Sequence, residues 1–185
     1  MMSTSFNPSP SRVKVWDLGV RLFHWSLVAS VASAWLLVDP RWLHRRIGYV
    51  VMGLIVFRLV WGLIGTRHAR WADFIPGPRR LIRYLFAMSR GREWRTLGHN
   101  PAGAAMIVAL LTLLSGICTT GIMMGMDRYF GQDWIEHWHK GLVNGLLALI
   151  ALHIAGVVIA SLRHKENLVA AMIHGHKDRH DPTAD

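Results

Sequence analysis

One apolar run, residues 138–158, constrains this chain more than any other stretch, because it is long enough to cross a lipid bilayer as a single helix. It carries a histidine near each end, His139 and His153, fourteen residues apart. On an α-helix this spacing returns to within about 40° of the starting direction and separates the two side chains by about 21 Å. One helix face therefore presents two imidazoles at two membrane depths. Ionisable residues inside a transmembrane helix are rare and are usually functional.

Three further apolar runs, residues 20–38, 47–64 and 102–122, have a similar length. Asn100 and Pro101 precede the third of these runs, as an N-cap and a first helical residue. With 52% hydrophobic residues and a mean hydropathy of +0.27, the pattern predicts an all-α integral membrane protein, a four-helix bundle. We predict that this domain covers residues 13–177, after a disordered N-terminus over 1–12 and before a flexible tail over 178–185. The basic, histidine-rich chain beyond residue 163 is predicted to be frayed.

The net charge of +10 would suggest nucleic-acid binding in a soluble domain, but here the basic residues lie between the apolar runs. If the N-terminus is cytoplasmic, fifteen of the 21 lysines and arginines lie on the cytoplasmic side and five on the outer side. The positive-inside rule then places both termini in the cytoplasm. We therefore predict a multi-pass membrane protein that contacts lipids and binds no nucleic acid. Residues 78–88 are predicted to form either a basic amphipathic helix on the membrane surface or a solvated loop.

Four histidines in or just before three of the runs fall at two depths. His24 and His153 form an inner level, and His44 and His139 an outer level. Two imidazoles from different helices are what bis-histidine ligation of a b-type haem requires, so two haems are predicted. The single Cys118 excludes covalent haem attachment, a four-cysteine iron–sulfur cluster and an intrachain disulfide.

Two alternatives remain open at these positions. An intramembrane histidine can serve only as a hydrogen-bonding group between helices, and His137 can replace His139 as the outer ligand. His139 is preferred because it is in phase with His153. The remaining histidines are predicted to be solvated: His68, His99, His164, His174, His176 and His180.

Arg58 is a cation deep inside an apolar run, fourteen residues beyond His44. It is predicted either to pair with a propionate of the inner haem, since guanidinium suits bidentate carboxylate contacts, or to snorkel to the cytoplasmic interface. Glycines on three runs are predicted to make room for the flat rings: Gly48, Gly53, Gly116, Gly121, Gly141 and Gly145.

Several segments resemble the bacterial cytochrome b561 and nickel–iron hydrogenase cytochrome b family. They are VWDLGVRLFHW at 15–25, FRLVWG at 57–62, GTRHAR at 65–70, LGHNPAG at 97–103, ALIALHIAG at 148–156 and ENLVAAMIHG at 166–175. The resemblance covers about residues 13–177. It implies a four-helix carrier of electrons in the inner membrane, with haem b held non-covalently by His24, His44, His139 and His153. One departure is Lys140, where the family pattern leads us to expect an acidic residue.

The resemblance also implies quinone or quinol as a partner, together with a periplasmic cytochrome c or a dehydrogenase or hydrogenase subunit. The leading prediction is a di-haem cytochrome b that moves electrons across the inner membrane between the quinone pool and that second partner. The alternatives are the membrane anchor of a hydrogenase- or dehydrogenase-type complex and a stand-alone superoxide:quinone oxidoreductase, whose basic outer rim would attract the superoxide anion. Other classes are a membrane di-metal enzyme, which needs ligands clustered at one depth, and a haem-free scaffold or transporter.

Overall fold

The computed structural model describes residues 12–96 and 98–178, so most of the predicted disordered start and flexible tail, with His180, lies outside the described residues. The described chain is mainly helical. Its elements in chain order are β1 (Arg12–Lys14), α1 (Leu18–Leu36), α2 (Arg41–Ile64), α3 (Trp71–Phe74), α4 (Pro78–Ser89), α5 (Pro101–Met123), α6 (Asp133–Arg163), α7 (Leu168–His174) and β2 (His176–Asp178). Short 3₁₀ turns cover Arg67–Ala69 and Asp127–Tyr129.

Side-chain caps fix where two of the long helices begin. Asp17 accepts a hydrogen bond from the backbone N–H of Val20 at 2.8 Å and starts α1. Asn100 accepts one from the N–H of Gly103 at 2.6 Å, with Pro101 as the first residue of α5. Both bonds satisfy an N–H that the first helical turn leaves without an intrahelical partner. The predicted cap of the third run is therefore confirmed.

The four long helices pack in series: α1 against α2, α2 against α5, and α5 against α6. One core cluster joins all four of them and consists of Phe23, Val51, Ile55, Leu111, Leu114, Cys118 and Leu146. Among the described residues, α2, α5 and α6 are long and apolar enough to cross a membrane, judged by length and composition. The 19-residue α1 contains Arg21 and His24 and is not among those three.

Two helices extend beyond the apolar runs. α2 begins at Arg41 rather than at residue 47, and α6 begins at Asp133 rather than at 138. The first turn of α6 contains Asp133 and Glu136. Their negative charge stabilises a helix N-terminus because it interacts favourably with the positive end of the helix dipole. His44 and His139 consequently lie inside helices rather than at the edges of loops.

The prediction that the chain frays beyond residue 163 is wrong for residues 168–178. β2 pairs antiparallel with β1, with Val13 opposite Lys177. The carbonyl of Gly175 accepts hydrogen bonds from the N–H groups of Val15 at 2.9 Å and Trp16 at 3.1 Å. We call this pairing of the two ends of the described chain the terminal clasp (residues 12–16 and 168–178). It contributes Val15 and Trp16 to a small apolar cluster with Val20 and Ala69, against which Trp61 and Met172 pack.

The basic stretch before α5 forms the helix α4, so the solvated-loop alternative is wrong. Tyr84 is buried, and its ring meets that of Trp94 edge-on at 5.0 Å. Three arginines and several exposed apolar side chains share this helix with Tyr84: Arg79, Arg80, Arg83, Ile82, Leu85 and Phe86. That α4 lies on a membrane surface stays a prediction.

Candidate functional site

The structure brings the two outer histidines together, with one ring edge-on to the other. His44 on α2 and His139 on α6 are both half-buried, with ring centres 6.4 Å apart and ring planes at 72°. A metal–imidazole bond is about 2 Å long and the ring centre lies about 1 Å beyond the nitrogen, so two imidazoles that share one ion have centres about 6 Å apart. The outer pair therefore has the separation that two axial ligands of one iron require.

Each outer ring is also held by a polar contact at its Nδ1. Nδ1 of His44 lies 3.0 Å from the carbonyl oxygen of Ala34 on α1. Because a carbonyl only accepts, this Nδ1 carries the proton and donates it, which leaves Nε2 without a proton and able to bind a metal. Nδ1 of His139 lies 2.9 Å from the hydroxyl oxygen of Thr120 on α5. All four long helices thus contribute one group to the outer level.

His137, the alternative outer ligand, is exposed on α6, whereas His139 is half-buried. The two side chains differ in direction by about 200° because they are two residues apart on a helix. The contact with His44 is made by His139. The geometry therefore favours His139 as the residue that shares a metal with His44.

The inner histidines have a looser relationship. His24 on α1 and His153 on α6 are both half-buried, and His24 lies within electrostatic range of His153. The His24 ring meets that of Trp25 edge-on, with centres 5.2 Å apart. The two residues thus lie in one region of the molecule, on the helices at the two ends of the packing series.

Arg58 is buried, with only 2% of its surface exposed. Its Nη1 donates to the carbonyl oxygen of Ala69 at 3.1 Å, and its guanidinium carbon lies 4.4 Å from the centre of a ring of Trp71. The charged group packs beneath the segment that follows α2 and is covered there by protein, and the snorkelling alternative stays a prediction. Contact with a haem propionate stays a prediction.

The glycines fall into two groups. A Cβ at Gly116, Gly121 or Gly145 would lie 3.2 Å from Leu142, 3.5 Å from His139 and 3.7 Å from Leu113, respectively. These three glycines serve the close approach of α5 and α6. A Cβ at Gly48, Gly53 or Gly141 would meet nothing within 4 Å. The space beside these last three glycines is open, and its use by a flat ring stays a prediction.

The prediction of solvation is wrong for four histidines, which are half-buried: His68, His99, His164 and His176. The ring centre of His99 lies 4.4 Å from that of Trp16. Burial, together with the nearby charges of Arg58 and Lys177, lowers the pKa of His99 to about 3. Its position immediately before the N-cap of α5 was an available signal, because a residue there commonly packs against the structure at the helix entrance.

Ion pairs connect the terminal clasp and the end of α6 with the segment between α4 and α5. Arg95 pairs with Glu166, and Lys177 lies 3.8 Å from the other oxygen of that carboxylate. Arg163 pairs with Glu93 at 2.7 Å. Burial and the charge of Arg95 lower the pKa of Lys177 to about 8. These contacts attach the end of the described chain to the segment between α4 and α5.

The outer pair offers two imidazoles from two helices. Within residues 12–96 and 98–178, no group of three or more His, Cys, Asp or Glu side chains is placed to hold a metal ion. A haem iron takes its equatorial ligands from the porphyrin and needs only two axial ligands from the protein. The pair His44 and His139 meets that requirement.

The family model for prokaryotic cytochrome b561 matches residues 15–175. This chain belongs to the prokaryotic cytochrome b561 family. As a family member it is a b-type cytochrome, a multi-pass membrane protein of electron transfer that uses haem b. The match covers α1 to α7 and includes all four histidines of the two levels.

Curated relatives of this cytochrome b561 are named probable Ni/Fe-hydrogenase B-type cytochrome subunits. The protein from Bradyrhizobium diazoefficiens is 23% identical and aligns with 91% of this chain and 87% of its own length. Those from Azotobacter vinelandii and Rhodobacter capsulatus are 22% and 23% identical, over 88% and 89% of this chain and 87% and 81% of their own lengths. No solved structure matches the chain.

Proposed function

We propose that this cytochrome b561 holds two haems b and carries electrons across the inner membrane between the quinone pool and a second redox partner. The observation that carries the proposal is the outer pair, with ring centres 6.4 Å apart and each Nδ1 engaged by a neighbouring helix. Haem b, when bound, supplies the one-electron chemistry. The protein supplies the ligands, their orientation and the surrounding charge.

The second haem is assigned to His24 and His153. The fourteen residues between His139 and His153 give an axial separation of about 21 Å, since both lie in the continuous helix α6. Such a separation sets one ligand near each side of a bilayer core of about 30 Å. Electrons would therefore pass between the two membrane faces within one chain.

We assign α1 as the fourth membrane span. It packs against α2 and presents large apolar side chains outward, among them Leu22, Val28, Trp35 and Leu36. Those side chains are suited to lipid contact. The excess of lysine and arginine in the terminal segments and the 65–100 connection supports cytoplasmic termini, with His24 and His153 on that side.

Arg58 is assigned to the inner level as a source of positive charge. It shares α2 with His44 and lies fourteen residues further along, at the depth of the inner histidines. Its guanidinium is buried, so its charge acts through a medium of low dielectric constant and is only weakly screened. A propionate of the inner haem is the anion that it would stabilise.

The names of the relatives favour a second candidate, in which the chain is the membrane subunit of a hydrogenase-type complex. The two candidates differ in the electron donor. Reduction of the purified cytochrome by quinol alone supports the first candidate. Reduction by hydrogen only when a co-purifying hydrogenase is present supports the second.

Counting haems in histidine variants tests the proposal. A pyridine haemochrome assay should find two haems b per chain in the unaltered protein, and one each in His139→Ala and His153→Ala. His137→Ala, a neighbour on the same helix with an exposed side chain, serves as the matched control and should keep both. Two haems in His139→Ala together with a loss in His137→Ala would transfer the outer ligand to His137. Two haems retained in both alanine variants of the proposed ligands would refute the assignment.

A further inference from the structure

Thr120 connects the outer ligand to the backbone of a helix that carries no haem-ligand histidine itself. Its Oγ1 lies 2.9 Å from Nδ1 of His139. The same oxygen lies 2.9 Å from the carbonyl of Gly116 and 3.0 Å from that of Ile117, one turn earlier in α5. The Thr120 hydroxyl therefore has three close polar neighbours.

The direction of these hydrogen bonds follows from the chemistry of the groups. Carbonyl oxygens only accept, so the carbonyl of Gly116 or of Ile117 can take the single hydroxyl hydrogen of Thr120, which leaves a hydroxyl lone pair for His139. In that arrangement Nδ1 of His139 donates to the hydroxyl oxygen, and its Nε2 is the nitrogen that can bind iron. In the reverse arrangement the proton of the neutral imidazole would lie on Nε2, and that nitrogen could not bind iron.

Gly121, the residue after Thr120, brings the His139 ring close to α5. A Cβ on Gly121 would lie 3.5 Å from Cε1 and 3.9 Å from Nδ1 of His139, so the imidazole lies directly against the α5 backbone. Thr120 holds the His139 ring by a hydrogen bond, and Gly121 allows the ring to approach the α5 backbone because it has no side chain. The ring orientation is therefore determined by α5 as well as by its own helix.

We propose that Thr120 is a positioning residue for the outer haem, which fixes the tautomer of His139 and raises the basicity of its Nε2. This inference rests on the proposed function. A hydrogen bond from Nδ1–H to an oxygen acceptor increases the electron donation of a ligating imidazole. It thereby favours ferric over ferrous iron and lowers the midpoint potential of the haem that the imidazole binds.

Thr120→Val keeps the shape of the side chain but removes the acceptor. Changes in outer contacts of metal ligands alter affinity by about 10–100-fold. A tenfold loss of preference for ferric over ferrous iron corresponds to a rise of about 59 mV for a one-electron couple. We expect one of the two midpoint potentials to rise by about this amount, while the other stays unchanged.

The experiment is a spectroscopic redox titration of the haem-loaded protein, with electron paramagnetic resonance of its ferric form. Thr120→Ser restores a hydroxyl and should return the potential and the signal of the outer haem to those of the unaltered protein. Thr119→Val is the matched control, because Thr119 is exposed and its hydroxyl donates to the Ser115 carbonyl at 2.8 Å. It should move neither potential.

The outcomes separate this inference from the proposed function. If the unaltered protein binds no haem, the proposed function fails. If it binds two haems and Thr120→Val has unchanged potentials and an unchanged ferric signal, only the role of Thr120 is overturned. Loss of the outer haem alone in Thr120→Val, with recovery in Thr120→Ser, supports the role. Loss of both haems contradicts it, since a positioning residue for His139 should spare the inner site.

Discussion

The carboxylate of Asp17 accepts a hydrogen bond from the indole Nε1 of Trp61, which lies 3.2 Å from each of its oxygens. The same carboxylate accepts from the Thr66 hydroxyl at 2.5 Å and from the Val20 N–H at 2.8 Å. One side chain therefore caps α1 and connects it to the end of α2 and to the turn beyond. Burial opposes ionisation of Asp17, but hydrogen bonds from Thr66, Val20 and Trp61 outweigh it and hold its pKa below the ordinary value.

Asp17→Ala should destabilise the protein by about 1–3 kcal/mol, because it removes the helix cap and leaves Trp61 and Thr66 without their common acceptor. Asp17→Asn keeps an oxygen for the cap and should lose less. Thermal unfolding in detergent, followed by circular dichroism, measures the difference. The stabilisation by the carboxylate is present above its unfolded pKa of about 4 and disappears as the pH falls through the lower folded value. Equal stability of all three proteins at neutral pH would contradict this role.

His99 should make the folded protein sensitive to mild acid. Its folded pKa is about 3, far below the ordinary value for histidine of about 6.5, because the ring is buried near positive charges. The unfolded chain therefore takes up a proton at His99 before the folded one does, and stability falls as the pH drops from about 6.5 toward 3.

His99→Gln, which cannot be protonated, should flatten this dependence between pH 7 and pH 5. Chemical denaturation at both pH values gives the free energy of unfolding, and hence the change in stability with pH, for the variant and for the unaltered protein. His164→Gln, at the C-terminal end of α6, is the control for the loss of a histidine in general. The same loss of stability with acid in His99→Gln as in the unaltered protein would show that the sensitivity arises elsewhere.

The terminal clasp should depend on Gly175. This residue has φ of +87°, and a Cβ there would lie 2.6 Å from the carbonyl oxygen of Trp16. Gly175→Ala thus adds both a strained backbone and a collision with the carbonyl oxygen of Trp16. We expect faster hydrogen–deuterium exchange across residues 12–16 and 168–178.

Gly91 provides a matched control for the same experiment. It also has a positive φ, of +66°, but a Cβ at this position would meet nothing within 4 Å. Gly91→Ala therefore carries the backbone strain without the collision, and should leave exchange in the terminal clasp unchanged. If Gly175→Ala also leaves it unchanged, the clasp does not depend on this close approach.

Local patterns predicted the parts of the molecule that repeat with helical period. The apolar runs located the four long helices, and the fourteen-residue spacing related His139 to His153 on one helix. The Asn100–Pro101 start of α5 was also predictable, since capping depends on neighbouring residues. The runs underestimated α6 because its acidic first turn resembles a loop in composition but stabilises a helix N-terminus.

Contacts between distant parts of the chain were not predictable in this way. Arg21 donates to the carbonyl of Ile173, and Trp25 donates to that of Met172 at 3.4 Å, across about 150 residues of sequence. Neither pairing has a periodic signature. The contact of Thr120 with His139 was hidden for another reason: threonines in apolar helices commonly bond to their own backbone, so this one had no distinguishing mark in the sequence.

The haem content of the unaltered protein tests the central claim most directly. We predict that the purified, detergent-solubilised chain, expressed with sufficient iron and porphyrin, contains two haems b per polypeptide by pyridine haemochrome assay and quantitative amino-acid analysis. We also predict low-spin spectra for both, because each iron would have two imidazole ligands. A ratio of one or zero, or a high-spin signal from either haem, would contradict the account.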